Sequence, residues 1–397
     1  MTANDVKPRK TLDGLEDWLI REARLFDSPA DIVDGVCRWL IDAGLPLIRC
    51  RIGQRLADPL MSAWGVVWRP DHVEDYVVDR ETLEGPAYFG SPFQAVVQTR
   101  APRRYDLTAL SPDDHESLHE QAEIGGRDYI AIPFIYGDGS VQGGAFVFSE
   151  KLDEATAERI MSLRHALAAT LEPVAMRRSA RSLLTTYLGR GPAERVMSGA
   201  FRRGDMGHLD AVVLFTDLCG SSALSERCSE AQLLSILDTY FEAVADGVKA
   251  NRGEVLKFLG DGLLAIFPVD GSVNAAIACG QAVAAVNAAD AVLRDVALAP
   301  SCGGVFPCFA AALHLGPVVY GNIGSRDRLD FTVVGQTVNL VSRLEDIAKS
   351  QPGSIVCSQA FAQTWGGPSE ALGTRMLKGF SLPQSLHTIE RHNLRRS

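Results

Sequence analysis

The stretch Ala211–Thr216 constrains the fold most: it runs without polar alternation and is closed by Asp217. Such a run reads as a strand buried on both faces. A helical pattern follows, with Leu233, Leu234, Leu237, Phe241, Val244 and Val248. Then come a strand at Glu254–Phe258, the turn Leu259-Gly-Asp-Gly262 and a strand at Leu263–Phe267. Strands alternating with helices imply α/β layering. The first strand pair is joined by a helix and the next by a tight turn, which predicts a mixed sheet.

The chain has 397 residues, enough for two domains. Its formal charge of -10 argues against non-specific nucleic-acid binding, which needs a basic face. The opening MTANDVKPRK lacks an apolar core, so no signal peptide is expected. The most apolar long segment, Asn274–Leu293, carries Asn287 and Asp290 and predicts a packed helix of a soluble protein, not a membrane span. The eight cysteines are scattered without CxxC spacing, so they read as buried thiols of a reducing, cytoplasmic protein.

The amino-terminal half shows another pattern. Helices are expected over Asp17–Ala43 with a break at Ser28-Pro29, and again from Ser91. Strands are expected at Leu47–Ile52 and Trp64–Trp68, and a hairpin at Tyr129–Ile135 and Gly143–Phe148 about Gly137-Asp-Gly139. One long helix is expected over Asp153–Leu188, kinked at Pro173 and stopped by Gly189. The expected organisation is a flexible 1–15, a regulatory α+β domain 16–152, a helical linker 153–209 and a catalytic domain 210–397, with the boundary near residue 185.

Two acids carry candidate chemistry. Asp217 ends a buried strand and Asp261 sits in a two-strand turn, so one sheet rim presents both. Converging carboxylates with open positions suit Mg²⁺ or Mn²⁺. Either aspartate alone reads as an ordinary turn residue. Gly220 allows a close turn, and Ser221-Ser222 opens a helix whose free N–H groups suit phosphate. A third element, Phe331 through Arg343, runs strand, glycine turn, helix. Asn339 and Arg343, four apart, share a helix face, while Val338, Leu340, Val341 and Leu344 fill the buried side. An amide and a guanidinium together suit a ribose and a phosphoryl group.

Residues 210–390 resemble the catalytic domain of class III adenylate/guanylate cyclases, through Phe215–Ser222, Lys257–Asp261, Gly316–Gly324, Thr332–Arg343 and Lys378-Gly379. The resemblance implies a mixed, ferredoxin-like sheet flanked by helices. It makes Asp217 and Asp261 the metal pair, two ions per site, with Leu218 offering its carbonyl. It gives Lys257 and Thr332 the purine, Asn339 the ribose, Arg343 the transition-state charge and Lys378 the terminal phosphates. It also implies a head-to-tail homodimer with composite sites. The expected reaction is ATP to 3′,5′-cyclic AMP and pyrophosphate. Guanylate cyclase activity, or a silent ligand-sensing dimer, is the alternative. Thr332 stands where many adenylate cyclases carry Asp, and resembles the subgroup described as bicarbonate-responsive.

The element order of residues 16–152 resembles a GAF-like, more loosely PAS-like, sensor, with a possible small-molecule ligand. Trp64, Trp68 and the Tyr88-Phe89 region are candidate pocket lining, though such aromatics are more often core. His115-Glu-Ser-Leu-His119 matches HExxH, but it lies at a short helix start without a third ligand, and reads as no zinc site.

Overall fold

A computed structural model describes residues 10–55, 63–199, 206–270 and 273–391. The chain folds as two units, Met1–Leu183 and Leu184–Ser397.

The first unit opens with helices α1 (Leu12–Arg21) and α2 (Pro29–Asp42). Strands β1 (Leu47–Arg55), β2 (Ala63–Arg69) and β3 (His72–Val78) follow. Next come helices α3 (Arg80–Leu83) and α4 (Pro92–Thr99), strand β4 (Arg103–Asp106) and helix α5 (Glu116–Glu123). The hairpin β5 (Asp128–Ile135) and β6 (Val141–Phe148) leads to helices α6 (Glu154–Ser162) and α7 (Arg164–Leu188). The strands form one antiparallel sheet in the order β3-β2-β1-β6-β5-β4. Ser28 and Ser91 cap α2 and α4, accepting from the backbone N–H of Asp31 and Gln94, and each is followed by a proline in the first turn.

Three local expectations differ from the structure. Helix α1 begins at Leu12, not Asp17, where Thr11 caps it. The long exit helix is interrupted at the buried Leu163, and it runs on through Pro173 without a break. Pro173 and Ala169 face solvent, so the carbonyl that the proline leaves unpaired can turn to water. His115 is the N-cap of α5, its ring nitrogens 2.9 Å from Ser117 Oγ and 3.1 Å from the Pro86 carbonyl. The two HExxH imidazoles therefore do not share one helical face. Trp64 and Trp68 are core, with Trp68 donating to Asp34 at 2.8 Å.

The second unit contains α8 (Arg190–Met197), β7 (Met206–Leu218), α9 (Ser221–Arg227) and α10 (Glu230–Ala250). The hairpin β8 (Glu254–Leu259) and β9 (Gly262–Val269) is followed by α11 (Ala275–Arg294). Then come β10 (Phe309–Gly324), β11 (Leu329–Val334), α12 (Gln336–Ala348), β12 (Ser354–Ser358) and α13 (Gln359–Trp365). Strands β13 (Glu370–Arg375) and β14 (Gln384–Glu390) close the unit.

The sheet order is β13-β14-β12-β10-β7-β9-β8, with β11 on β10. Strands β10 and β12 are parallel and the other pairs antiparallel, so the sheet is mixed. Central β7 is covered on both faces. Val212 and Leu214 pack with α10 and α11, while Ala211 and Val213 pack with α12. This two-sided burial is why the run carries no polar alternation. Leu234 of α10 departs from its expected place and is 60% exposed.

Helix α11 is long and apolar enough to cross a membrane by length and composition, yet Ala278, Ala282, Val286 and Ala289 sit in the core of this unit. Its Asp290 meets the buried Arg391 at 3.1 Å. The sulfurs of Cys228 and Cys302 lie side by side, and Cys37, Cys50, Cys279 and Cys357 are free and buried.

Candidate active site

Asp217 and Asp261 meet at one end of the sheet. Asp217 lies opposite Gly262 in the β7–β9 register, and Asp261 immediately precedes that glycine. The Leu218 N–H donates to the Asp261 carbonyl at 3.1 Å, tying the strand end to the hairpin. The approach at Gly262 is close: a Cβ would come 3.0 Å from the Thr216 carbonyl oxygen and 3.2 Å from Asp217 Oδ1. Buried Tyr240 on α10 donates to Thr216 Oγ1 at 2.7 Å and fixes the strand just before the acid. Past it, Gly220 takes φ +72°, a left-handed turn that favours glycine, and α9 begins.

Asp217 is buried and already holds a cation. Lys349, just past α12, places Nζ 2.7 Å from Asp217 Oδ2 and 2.9 Å from Glu345 Oε1. Burial disfavours the ammonium, but its hydrogen bonds to Asp217 and Glu345 prevail and hold its pKa above the ordinary lysine range. Burial raises the Glu345 carboxyl, and Lys349 opposes that shift. The candidate metal donors, the Asp217 and Asp261 carboxylates and the Leu218 carbonyl, are all oxygen, the donor type that a hard divalent ion takes. Among the described residues, no group of three or more His, Cys, Asp or Glu is placed to hold a metal. The donors here are two carboxylates and neighbouring backbone.

Helix α12 follows β11 through Gly335, whose φ is +140°. Thr337 Oγ1 donates to the Pro317 carbonyl at 2.7 Å and docks the helix start on β10. Leu340, Val341 and Leu344 are buried as the periodicity requires. Asn339 and Arg343 occupy the opposite, outward stripe, where Arg343 pairs with Asp346 at 3.7 Å. The structure thus unites Asp217, Leu218 and Asp261, and keeps Asn339 and Arg343 on a face turned away from the sheet.

Lys257 on β8 forms an ion pair with Asp330 on β11 at 2.5 Å. Thr332, two residues on, shares that strand face and is buried opposite Gly321. Lys378 is exposed between β13 and β14. Sequence reasoning missed Glu345, Lys349 and the pairing role of Asp330. The signal for Glu345 was available: a carboxylate inside the apolar stripe of α12 needs a cation, and Lys349 stands four residues on.

Residues 206–365 match the family model described as the adenylate and guanylate cyclase catalytic domain. An uncharacterised protein of Mycobacterium tuberculosis is 31% identical over 209 residues, 50% of this chain and 33% of the relative. A second from that organism is 34% identical over 188 residues, 46% of this chain and 32% of the relative. The chain thus spans about a third of the length of these relatives. Among solved structures, the guanylyl cyclase Cya2 is 26% identical, covering 48% of this chain and 96% of that one, with a TM-score of 0.39. The adenylyl cyclase CyaB from P. aeruginosa is 24% identical, covering 47% and 97%, also with a TM-score of 0.39. The segment that carries the paired aspartates and the amide–guanidinium helix thus lies within the stretch, residues 206–365, that is similar to the adenylate and guanylate cyclase catalytic domain.

Proposed function

We propose that this chain converts ATP into 3′,5′-cyclic AMP and pyrophosphate as a head-to-tail homodimer. The observation that carries this is the juxtaposition of Asp217 and Asp261 at one sheet end, in a domain whose Asn339 and Arg343 face outward from the same fold. Each composite site would take its acids from one protomer and its amide and guanidinium from the other.

In the reaction, the ribose 3′-oxygen bonds to the α-phosphorus, the bond to pyrophosphate breaks and the 3′-hydroxyl proton is released. Asp217, Asp261 and the Leu218 carbonyl would hold two Mg²⁺ or Mn²⁺ ions, which neutralise phosphate charge and lower the pKa of the 3′-hydroxyl. Asn339 orients the ribose, and Arg343 stabilises charge at the α-phosphate where it develops. Lys378 receives the terminal phosphates. Lys257 and Thr332 read the adenine: the ammonium donates, and the hydroxyl accepts from the amino group. Asp330 holds Lys257 in place for this. The first unit is taken as a GAF-like regulatory domain, a reading supported by its antiparallel six-stranded sheet.

The test is product analysis with ATP and GTP supplied separately to the full chain, with Mg²⁺ or Mn²⁺. Cyclic AMP should dominate, and Arg343→Ala should lower kcat by about 10²–10³-fold. Faster cyclisation of GTP would make the chain a guanylate cyclase. No turnover of either nucleotide would make it a silent sensing module.

A further inference from the structure

The first unit carries a partly open cavity of about 170 Å³ that the cyclase chemistry does not use. It lies on the sheet face opposite the one packed by α1 and α2. Cys50 and Ile52 of β1 point to those helices, and Arg49, Arg51, Gly53 and Arg55 point the other way. Three guanidiniums therefore line one cavity, opposed among the described lining residues by one carboxylate, Glu120.

Among the described residues, none of the three arginines forms an ion pair with a carboxylate. Arg49 donates to the neutral Gln121 Oε1 at 3.0 Å, and Arg51 donates to the Tyr76 hydroxyl at 3.0 Å. Arg51 also stacks on Tyr76 at 4.6 Å and on Phe93 at 5.5 Å. Arg55 lies 5.7 Å from the Tyr88 ring. Arg49 is pushed below the ordinary arginine range, first by burial and then by Arg69 and Arg51. A guanidinium surrounded by burial and like charge gains most from an incoming anion.

The remaining lining suits a flat apolar body. Phe93 lies close over the sheet above two glycines. A Cβ at Gly143 would come 2.7 Å from Phe93 Cδ1, and one at Gly53 would come 3.3 Å from Phe93 Cε1. Tyr88, Tyr129 and Val97 continue the apolar wall. Arginine's planar fork matches a carboxylate in two-point contact. A bare or doubly charged phosphate would gain nothing from the aromatic walls.

We propose that this cavity binds a small aryl carboxylate, with its carboxylate on Arg49 and Arg51 and its ring against Phe93 and Tyr88. The site lies wholly within the first unit and is independent of the nucleotide reaction. The test is isothermal titration of the full-length chain with benzoate, phenylacetate, cinnamate and naphthoate. Phenylacetamide serves as the neutral isostere and inorganic phosphate as the bare anion. At least one carboxylate should bind saturably at one site per chain, and phenylacetamide and phosphate should not. Arg51→Gln should weaken binding about tenfold or more, as should Arg49→Gln. Arg51 is exposed, so its variant should keep the wild-type melting profile even if the Arg49 variant does not. Absence of saturable binding by all four carboxylates would overturn the proposal. So would equal binding of phenylacetamide, phosphate binding at the same site, or unchanged affinity in a folded Arg51→Gln chain.

Discussion

At the residue scale, the acid at the end of β7 is held by a lysine from the same chain. Lys349 bridges Asp217 and Glu345, so a divalent ion approaching Asp217 must displace an ammonium. Lys349 is half-exposed, which makes that displacement cheap, about 0.2–1 kcal/mol. Lys349→Met should therefore bind Mn²⁺ more tightly, by up to about 5-fold, read by the loss of the free-ion electron paramagnetic resonance signal. Unchanged or weaker binding would show that Lys349 supports the acid and does not compete for it. This contact was not legible in the sequence, because Asp217 and Lys349 are far apart in the chain and meet only through the packing of α12 on β7. The closeness of Asp217 to Asp261 was legible, since a strand end and a hairpin turn of one sheet have few places to go. Asp330 was missed for the reason that Lys349 was: its partner Lys257 lies on another strand.

At the scale of elements, two-sided burial explains why the residues of β7 form so distinctive a run in the sequence. Helix α11 shows how the same logic can mislead, since an apolar helix reads alike in a core and in a bilayer. Asp290 is the residue that tells them apart, through its ion pair with Arg391. The interruption at Leu163 was not legible, because nothing in the local composition marks it, whereas Pro173 marks a break that solvent exposure makes unnecessary. Close packing of α10 on α11 rests on a small residue. A Cβ at Gly247 would come 2.6 Å from the Ala285 carbonyl oxygen. Helix propensity alone favours Gly247→Ala by about 1 kcal/mol. The clash is with backbone, which cannot swing aside, and overpacking costs about 1–3 kcal/mol or more. Gly247→Ala should therefore lower the urea midpoint, and a raised midpoint would mean that the two helices separate freely.

At the scale of the whole molecule, a single copy of the second unit holds every proposed catalytic group but not in one place. The acids close the end of the central strands, while Asn339 and Arg343 stand on the outer stripe of α12. Under the proposed shared site, the half that faces these acids comes from a second copy. Among the described residues Arg343 is paired with the distant Asp346 alone, which leaves its guanidinium available to a phosphate. The most direct measurement is cyclic AMP formation by Asp217→Ala, by Arg343→Ala and by their equal mixture after subunit exchange. If the site is shared, each variant alone is nearly inactive, and the mixture regains a substantial fraction of wild-type activity through heterodimers with one intact site. Exchange that is demonstrated, for instance by tagged pull-down, yet restores no activity would contradict the shared site.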